Sequence, residues 1–239
     1  MGTDQSTARR NAVLGGLLDD ALAPLLPDLA QVDLSLGDVL HEPGSPIEVV
    51  YFPTSGVVSV VADLGAGDQV VETATVGREG IVGISVFFGA DTPTERSLVQ
   101  VAGQALAMRV ADFRAHVADV DGPLTAMLRR SAQALFTQVS RNAACNRVHT
   151  VRQRAARWLL MTADRMGAPN FELTQHFLAQ TLAVRRTSVS DVAQFLADDG
   201  AITYTRGSIT ITDRARLCAH ACDCYDVIRD ATDRALTIS

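Results

Sequence analysis

"LAQTLAVRRTSVSDVAQFLADDGAIT", Leu178 to Thr203, joins two short apolar segments and sets two adjacent arginines, Arg185 and Arg186, where the second one begins. Apolar residues that recur every three or four positions mark amphipathic helices. Leu178, Leu182, Val189, Val192 and Phe195 have that spacing, so two helices are predicted to hold against each other, with Val184 in the turn. Two β-branched runs, "AITYT" and "SITIT", follow and meet at Arg206-Gly207, a tight-turn pair. A further helix is expected upstream, over roughly 150–165. Helix, helix, turn, helix and hairpin outline a winged helix-turn-helix, predicted over 148–215.

In such a motif the second helix lies in the DNA major groove and its first residues meet base edges. The positions left facing outward there are Arg185, Arg186, Thr187, Ser190 and Asp191. A guanidinium can donate two hydrogen bonds to guanine, for about 1–3 kcal/mol of discrimination. Thr187 and Ser188 can reach phosphates or bases, Gln175 and His176 can anchor the backbone, and Arg206 at the hairpin tip can touch a phosphate. An isolated arginine pair would be no more than a solvated helix start. Here the apolar spacing, the turn, the hairpin and the local charge agree on DNA binding.

That charge is local because the chain as a whole is acidic, with a formal net charge of −6. Residues 145–216 carry 10 arginines against 6 acids, whereas residues 1–144 carry 9 against 17. Distribution therefore matters more than the total. All 21 cations are arginine, which base composition of the genome explains as well as any binding role does.

Upstream, residues 32–113 read as short strands between glycine turns, at Val49–Phe52, Gly56–Ala62, Gln69–Thr75, Leu98–Val101 and Ala105–Val110. Such spacing suggests a compact antiparallel barrel or roll. From Gly122 to Cys145 the pattern becomes that of one long helix opened by Pro123. Leu124, Leu128, Ser131, Leu135, Gln138 and Asn142 recur at coiled-coil spacing and are expected to form a dimer seam. Leu128, Ala132, Phe136, Val139 and Ala143 make a second apolar edge. A helix with two edges packs on its own domain and on a partner. The expected fold is α+β, with a β-roll over 1–121, a dimerisation helix and hinge over 122–147, the winged helix-turn-helix over 148–215 and a helical tail over 216–239.

"LTQHFLAQTLAVRRTSVSDVAQFLADDGAIT" with "RGSITI" resembles the DNA-binding half of the Crp/Fnr family of bacterial transcription regulators. "VVYFPTSGVVSVV" and "GREGIVGISVFFG" with "TERSLVQV" resemble its cyclic-nucleotide-binding-like roll, and 122–145 resembles its dimer helix. The resemblance implies a cytoplasmic homodimer on an inverted-repeat operator, with recognition helices about 34 Å apart. RNA polymerase is implied as a partner if the protein activates.

In cyclic-AMP-binding members a glycine–glutamate pair holds the ribose and an arginine–serine pair holds the phosphate. Arg96 and Ser97 match the second pair, but beside Gly83 the glutamate position holds Ile84. An unpaired ribose hydroxyl in a buried pocket costs about 1–3 kcal/mol. The expected pocket is Gly83, Ile84, Ser85, Arg96, Ser97, Gln138 and Asn142, with an effector other than cyclic AMP or none. A cyclic-AMP-dependent regulator is the alternative. The recognition helix also departs from cyclic-AMP-responsive members, with Thr187 and Asp191 where they carry glutamate and arginine, so a different operator is expected.

Other classes find less support. "CAHACDCYD" clusters Cys218, Cys222 and Cys224, and a redox or metal sensor built on them is a further alternative. On a single helix, however, Cys222 and Cys224 would point about 200° apart, so no cofactor and no metal site are expected. There is no HExxH, P-loop or GxSxG motif, and the five histidines are scattered, so the chain does not read as an enzyme. Arg9-Arg10 ahead of Ala12–Leu18 imitates an export signal, but Asp19 and Asp20 end the stretch and the leucine spacing fits a short amphipathic helix instead. No segment approaches the roughly 20 apolar residues of a membrane helix.

Overall fold

Half-buried strands rich in valine must turn one face onto another apolar layer, and the N-terminal half does so by closing two antiparallel sheets on each other. A computed structural model describes residues 3–63, 65, 70–205 and 207–237. One sheet has the order β1 (Ala30–Leu34), β7 (Gly103–Arg109), β3 (Val49–Pro53). The other has the order β2 (Val39–His41), β6 (Arg96–Val101), β4 (Val57–Asp63), β5 (Val70–Val76). Leu34, Val58, Val76, Val82, Val99 and Ala105 fill the space between them. Of the expected strand residues, Gln69 lies outside the described ones.

The run Val57–Val61 is apolar on both faces for a reason. Val58 points into the roll, while Val57 and its cross-strand partner Val101 join the core of the C-terminal half. The predicted N-terminal helix is broken into α1 (Gln5–Ala8), α2 (Ala12–Gly15), α3 (Asp19–Leu22) and a 3₁₀ segment at Ala23–Asp28. Fully buried Asn11 caps α2 through its side-chain oxygen and donates its amide to the Pro53 and Gly80 carbonyls, both at 2.9 Å.

After α4 (Val110–His116), the long helix α5 (Pro123–Val148) runs one turn further than its spacing predicted. Only His149 and Thr150 separate it from α6 (Val151–Met166), whose start is fixed by a capping box between Thr150 and Gln153. Then come β8 (Asn170–Glu172), α7 (Gln175–Thr181), α8 (Arg186–Asp198), β9 (Ile202–Thr205) and β10 (Ser208–Ile211). The wing is three-stranded, in the order β8-β10-β9. Strand β8, a three-residue piece after Pro169, is too short to show in the sequence pattern.

Two helices, α9 (Arg214–His220) and α10 (Cys224–Leu236), complete the chain and are no loose tail. Leu217, Tyr225 and Ile228 are buried in the same core as α6, and the Tyr225 hydroxyl donates to Asp164 at 2.7 Å.

Helix α6 seats the C-terminal half directly on the roll. Trp158, the single tryptophan, donates from Nε1 to Glu72 on β5 at 3.0 Å, and the Ser59 hydroxyl meets the other carboxylate oxygen at 2.6 Å. Burial raises the Glu72 pKa to about 7, against the opposing pull of the Ser59 and Trp158 hydrogen bonds and the Arg157 and Arg165 charges. A group whose folded pKa is raised favours the folded state while protonated, so this contribution is complete below its ordinary value of 4.5 and is lost as pH climbs towards 7. Urea unfolding followed by Trp158 fluorescence is expected to show native protein losing on the order of 2 kcal/mol more than Glu72→Gln between about pH 5 and about pH 8. Parallel curves for the two proteins would refute the assignment.

Candidate functional site

Thr174 caps α7 by accepting from the Phe177 amide at 3.2 Å, and α7 ends at a turn built on Ala183. Ala183 has φ 50°, the one left-handed non-glycine residue among those described. It lets Val184 N–H reach back to the Ala179 carbonyl at 3.0 Å and redirects the chain into α8. Leu178, Leu182 and Val189 are buried between the helices, with Val192 packed beside them. Phe195 departs from the predicted inner position: it is 40% exposed, edge-on to His220, with the Arg152 guanidinium 4.5 Å above its ring centre. Its phase on α8 turns it outward.

Arg185 is the N-cap of α8, and Arg186 and Thr187 form its first turn. All three side chains are exposed, and neither arginine has an ion pair or side-chain hydrogen bond among the described residues. Two unpaired cations thus stand at the positive end of a helix dipole, where an anion is favoured on both counts. Ser188 is half-buried beside them. Gln175 and Ser190 are partly used internally, since the Ser190 hydroxyl donates to Gln175 Oε1 at 2.9 Å and so ties α8 to α7. The His176 side chain and Arg206 lie outside the described residues. Gly207, beside the wing tip, has φ 87°.

The predicted effector residues do not gather into one cavity. Ile84 and Gln138 line a gap of only about 20 Å³ between the roll and α5. Gln138 is committed there, accepting from Thr75 N and Oγ1 and donating to the Thr75 carbonyl at 2.9 Å. Asn142 donates to the Thr73 carbonyl at 2.9 Å and accepts from Arg157 at 2.7 Å. Gly83, at φ 91°, packs against His41, Ser85 is half-exposed, and Ser97 is buried in the sheet opposite Val60. Arg96 pairs with Glu42 at 2.9 Å and borders a different cavity, of about 250 Å³, walled by Glu72 on one side and by Phe177, Gln180 and Thr181 of α7 on the other.

The predicted seam on α5 is also redirected. Leu124, Leu128, Ser131, Gln138 and Asn142 are buried against the chain's own N-terminal half, and Leu135 is half-buried. Gln138 and Asn142 are satisfied by β5, a strand that the helix spacing could not foresee. The second edge is the open one, with Phe136 67% and Val139 40% exposed.

A family model for the Crp-like helix-turn-helix domain matches residues 153–220. Over 220 residues, covering 89% of this chain and 97% of the relative, the sequence is 26% identical to a CRP-like cAMP-activated global transcriptional regulator of Mycobacterium tuberculosis. The fold is similar to that of FixK2 from Bradyrhizobium japonicum, with TM-score 0.69 at 15% identity over 81% of this chain and 98% of that one. It is also similar to a CRP-family transcriptional regulator from Thermus thermophilus, with TM-score 0.66 at 18% identity over 80% and 96%. Residues 153–220 thus match a Crp-like helix-turn-helix domain, and the chain as a whole has the fold of Crp/Fnr-type regulators. No helix among the described residues is long and apolar enough to cross a membrane.

The expectation of no cofactor and no metal site is overturned. Cys145, His149, Cys222 and Cys224 bring one donor atom each to within 4.8 Å of one another. The single helix assumed through 218–224 does not exist: α9 ends at His220, Ala221 is extended (ψ 163°), and α10 begins at Cys224 after its N-cap Asp223. The break turns Cys222 and Cys224 to the same side, where they meet Cys145 on the last turn of α5 and His149 at its cap. Cys218 is exposed and takes no part. Cys145 Sγ and Cys222 Sγ lie 3.5 Å apart, and Cys224 Sγ is 3.8 Å from His149 Nδ1. The hydrogen bond from Cys222, helped by the Arg157 charge, brings the Cys145 thiol down to about 7, while the same bond pushes Cys222 up. The spacings Cys145-x₃-His149 and Cys222-x-Cys224 were visible in the sequence; their convergence was not.

The turn of the motif provides a direct stability test. A left-handed alanine costs about 1–2 kcal/mol, part of which glycine gives back as unfolded-state entropy. Ala183→Gly is therefore expected to stabilise the protein by roughly 0.5–1 kcal/mol in thermal unfolding. A loss of stability would mean that the turn does not need a left-handed residue.

Proposed function

We propose that this chain is a Crp/Fnr-type regulator, a homodimer that reads an inverted-repeat operator with the first turn of α8, under the control of a metal or thiol signal at the junction of α5 and α6. The observation that carries the DNA reading is the exposed, unpaired Arg185-Arg186-Thr187 at the start of α8, next to a wing. Arg186 reads a guanine, and Thr187 and Ser188 contact the backbone or a neighbouring base. RNA polymerase is the partner to be expected if the protein activates.

The control reading rests on the four convergent donors, which sit on the two-residue joint between the dimer helix and the DNA-binding half. A cyclic-AMP input is the second reading. It is favoured by Arg96 and Ser97 and by the Mycobacterium tuberculosis relative, which is named as cAMP-activated. Arg96 would have to exchange Glu42 for a phosphate, and an exposed ion pair of that kind holds it by only about 0–1 kcal/mol.

Selection of an inverted repeat from random duplexes, at fixed salt, separates these readings. Enrichment that needs cyclic AMP would support the second; enrichment that follows reduction or metal loading would support the first. On the selected site Arg186→Ala is expected to lose about ten- to a hundredfold in affinity while keeping non-specific binding. Full specific binding by that variant would displace α8 as the reading element.

Dimerisation is assigned to the open edge of α5, Ala132, Phe136, Val139 and Ala143. Phe136→Arg sets a charge against its own copy in a symmetric helix pair. Sedimentation should show the variant as a monomer and the native protein as a dimer, and a variant that stays dimeric would move the interface elsewhere.

A further inference from the structure

We propose that Cys145, His149, Cys222 and Cys224 bind one tetrahedral divalent ion of the zinc class, and that this ion clamps the α5–α6 joint and thereby sets the presentation of α8. The functional half of the proposal rests on the DNA-binding reading above; the metal half does not.

The donor set comes first. Three thiols and one imidazole are a recurrent structural zinc combination, and a tetrahedral ion holds thiolate sulfurs about 3.8 Å apart and sulfur and nitrogen about 3.5 Å apart. The separations of 3.5 Å for Cys145–Cys222 and 3.8 Å for Cys224–His149 fall beside those values, and all four donor atoms lie within 4.8 Å of one another. An iron–sulfur cluster is wider than one ion and spreads its ligands beyond this span. Cys145, Cys222 and Cys224 are buried and His149 is half-buried, so the four protein donors leave little access for water as a ligand. That closure is the mark of a structural rather than a catalytic site.

Charge supplies an independent argument. A divalent ion with three thiolates and a neutral imidazole carries one net negative charge. Helix α6 buries two guanidiniums toward this cluster, Arg154 at 8% and Arg157 at 5% exposure, and the Nε of each has no hydrogen-bond partner among the described residues. Neither arginine makes an ion pair among the described residues, and the buried Glu72, which feels the Arg157 charge, does not pair with it, so an anionic metal–thiolate centre would supply a counter-charge to both.

Position gives the consequence. Cys145 and His149 belong to the end of α5, and Cys222 and Cys224 to the break before α10, so the ion would bridge the two sides of a joint only His149 and Thr150 long. Arg154 carries the effect onward, because its Nη2 donates to the Leu182 carbonyl at 2.5 Å, one residue before the left-handed turn at Ala183. Loss of the ion leaves buried thiols facing two unbalanced arginines, and the joint and the turn relax together.

The test uses full-length protein, purified reduced, its metal counted and then exchanged for Co(II). About one ion per chain is expected, and the Co(II) form should show the strong d–d bands of a tetrahedral site with thiolate charge transfer. Cys222→Ser and Cys224→Ser should abolish those bands, and Cys218→Ser should keep them. Protein that binds neither Zn(II) nor Co(II), an octahedral Co(II) spectrum, or a Cys218→Ser that loses the ion as Cys222→Ser does would overturn the site. If the ligand variants do not fold, the native protein still decides the matter through its stoichiometry and cobalt spectrum.

Coupling is read separately, as the affinity of metal-loaded and chelated protein for the selected operator. A drop of about tenfold or more on chelation is expected, and equal affinities would remove the clamp while leaving the ion. A protein that binds the ion but enriches no operator would refute the DNA reading and not the metal site.

Discussion

Through its middle, helix α6 has no face it can leave in water. Residues 154 to 163 are all buried, some against the helix-turn-helix core, some against β4 and β5 of the roll, some against α5 and α10. A helix buried on all sides over ten residues is stable only when every side is covered, so the roll, α5 and the helix-turn-helix have to close on it at once. The same requirement explains why Val57 and Val101 of the roll belong to the C-terminal core.

Three arginines on that helix make the packing directional. Arg165 reaches the roll through Glu79 at 2.6 Å and the Thr75 carbonyl at 3.2 Å. Arg157 reaches α5 through Asn142, and Arg154 reaches the recognition turn through Leu182. Apolar surface would tolerate α6 sliding by a fraction of a turn, but buried guanidiniums do not, because each lost partner leaves a charge without compensation. Any rotation of the DNA-binding half relative to α5 must therefore break these bonds as a set, which is how a small local change becomes a two-state one.

The helix-turn-helix was legible because its signals are local: three- and four-residue apolar spacing and a hairpin turn. Which stripe of α5 stays open was not, since the helix carries two apolar stripes of the same period. Which stripe is consumed depends on Thr73 and Thr75, more than sixty residues away, meeting Asn142 and Gln138. The thiol site escaped for a related reason. The break at Ala221–Asp223 has neither glycine nor proline to announce it, and helical phase carried straight through it gives the wrong geometry. The roll pocket failed as a set because Ile84 and Arg96, near in sequence, face different cavities.

Where a signal enters such a molecule follows from what it must move. A ligand beside Arg96 touches α7 through Phe177, Gln180 and Thr181 and acts on the reading head from the roll side. An ion among Cys145, His149, Cys222 and Cys224 acts on the joint itself, with Arg154 as the link to the turn before α8. Both routes end on α6 and its partners, so they are not independent, and coupling between two binding events is reciprocal. If the ion strengthens operator binding by a given factor, operator must strengthen ion binding by the same factor. A joint that holds its metal more tightly on DNA than off it makes release of the ion from free protein the easier event, and so lets the unbound regulator sense metal or thiol chemistry while the bound one is shielded from it.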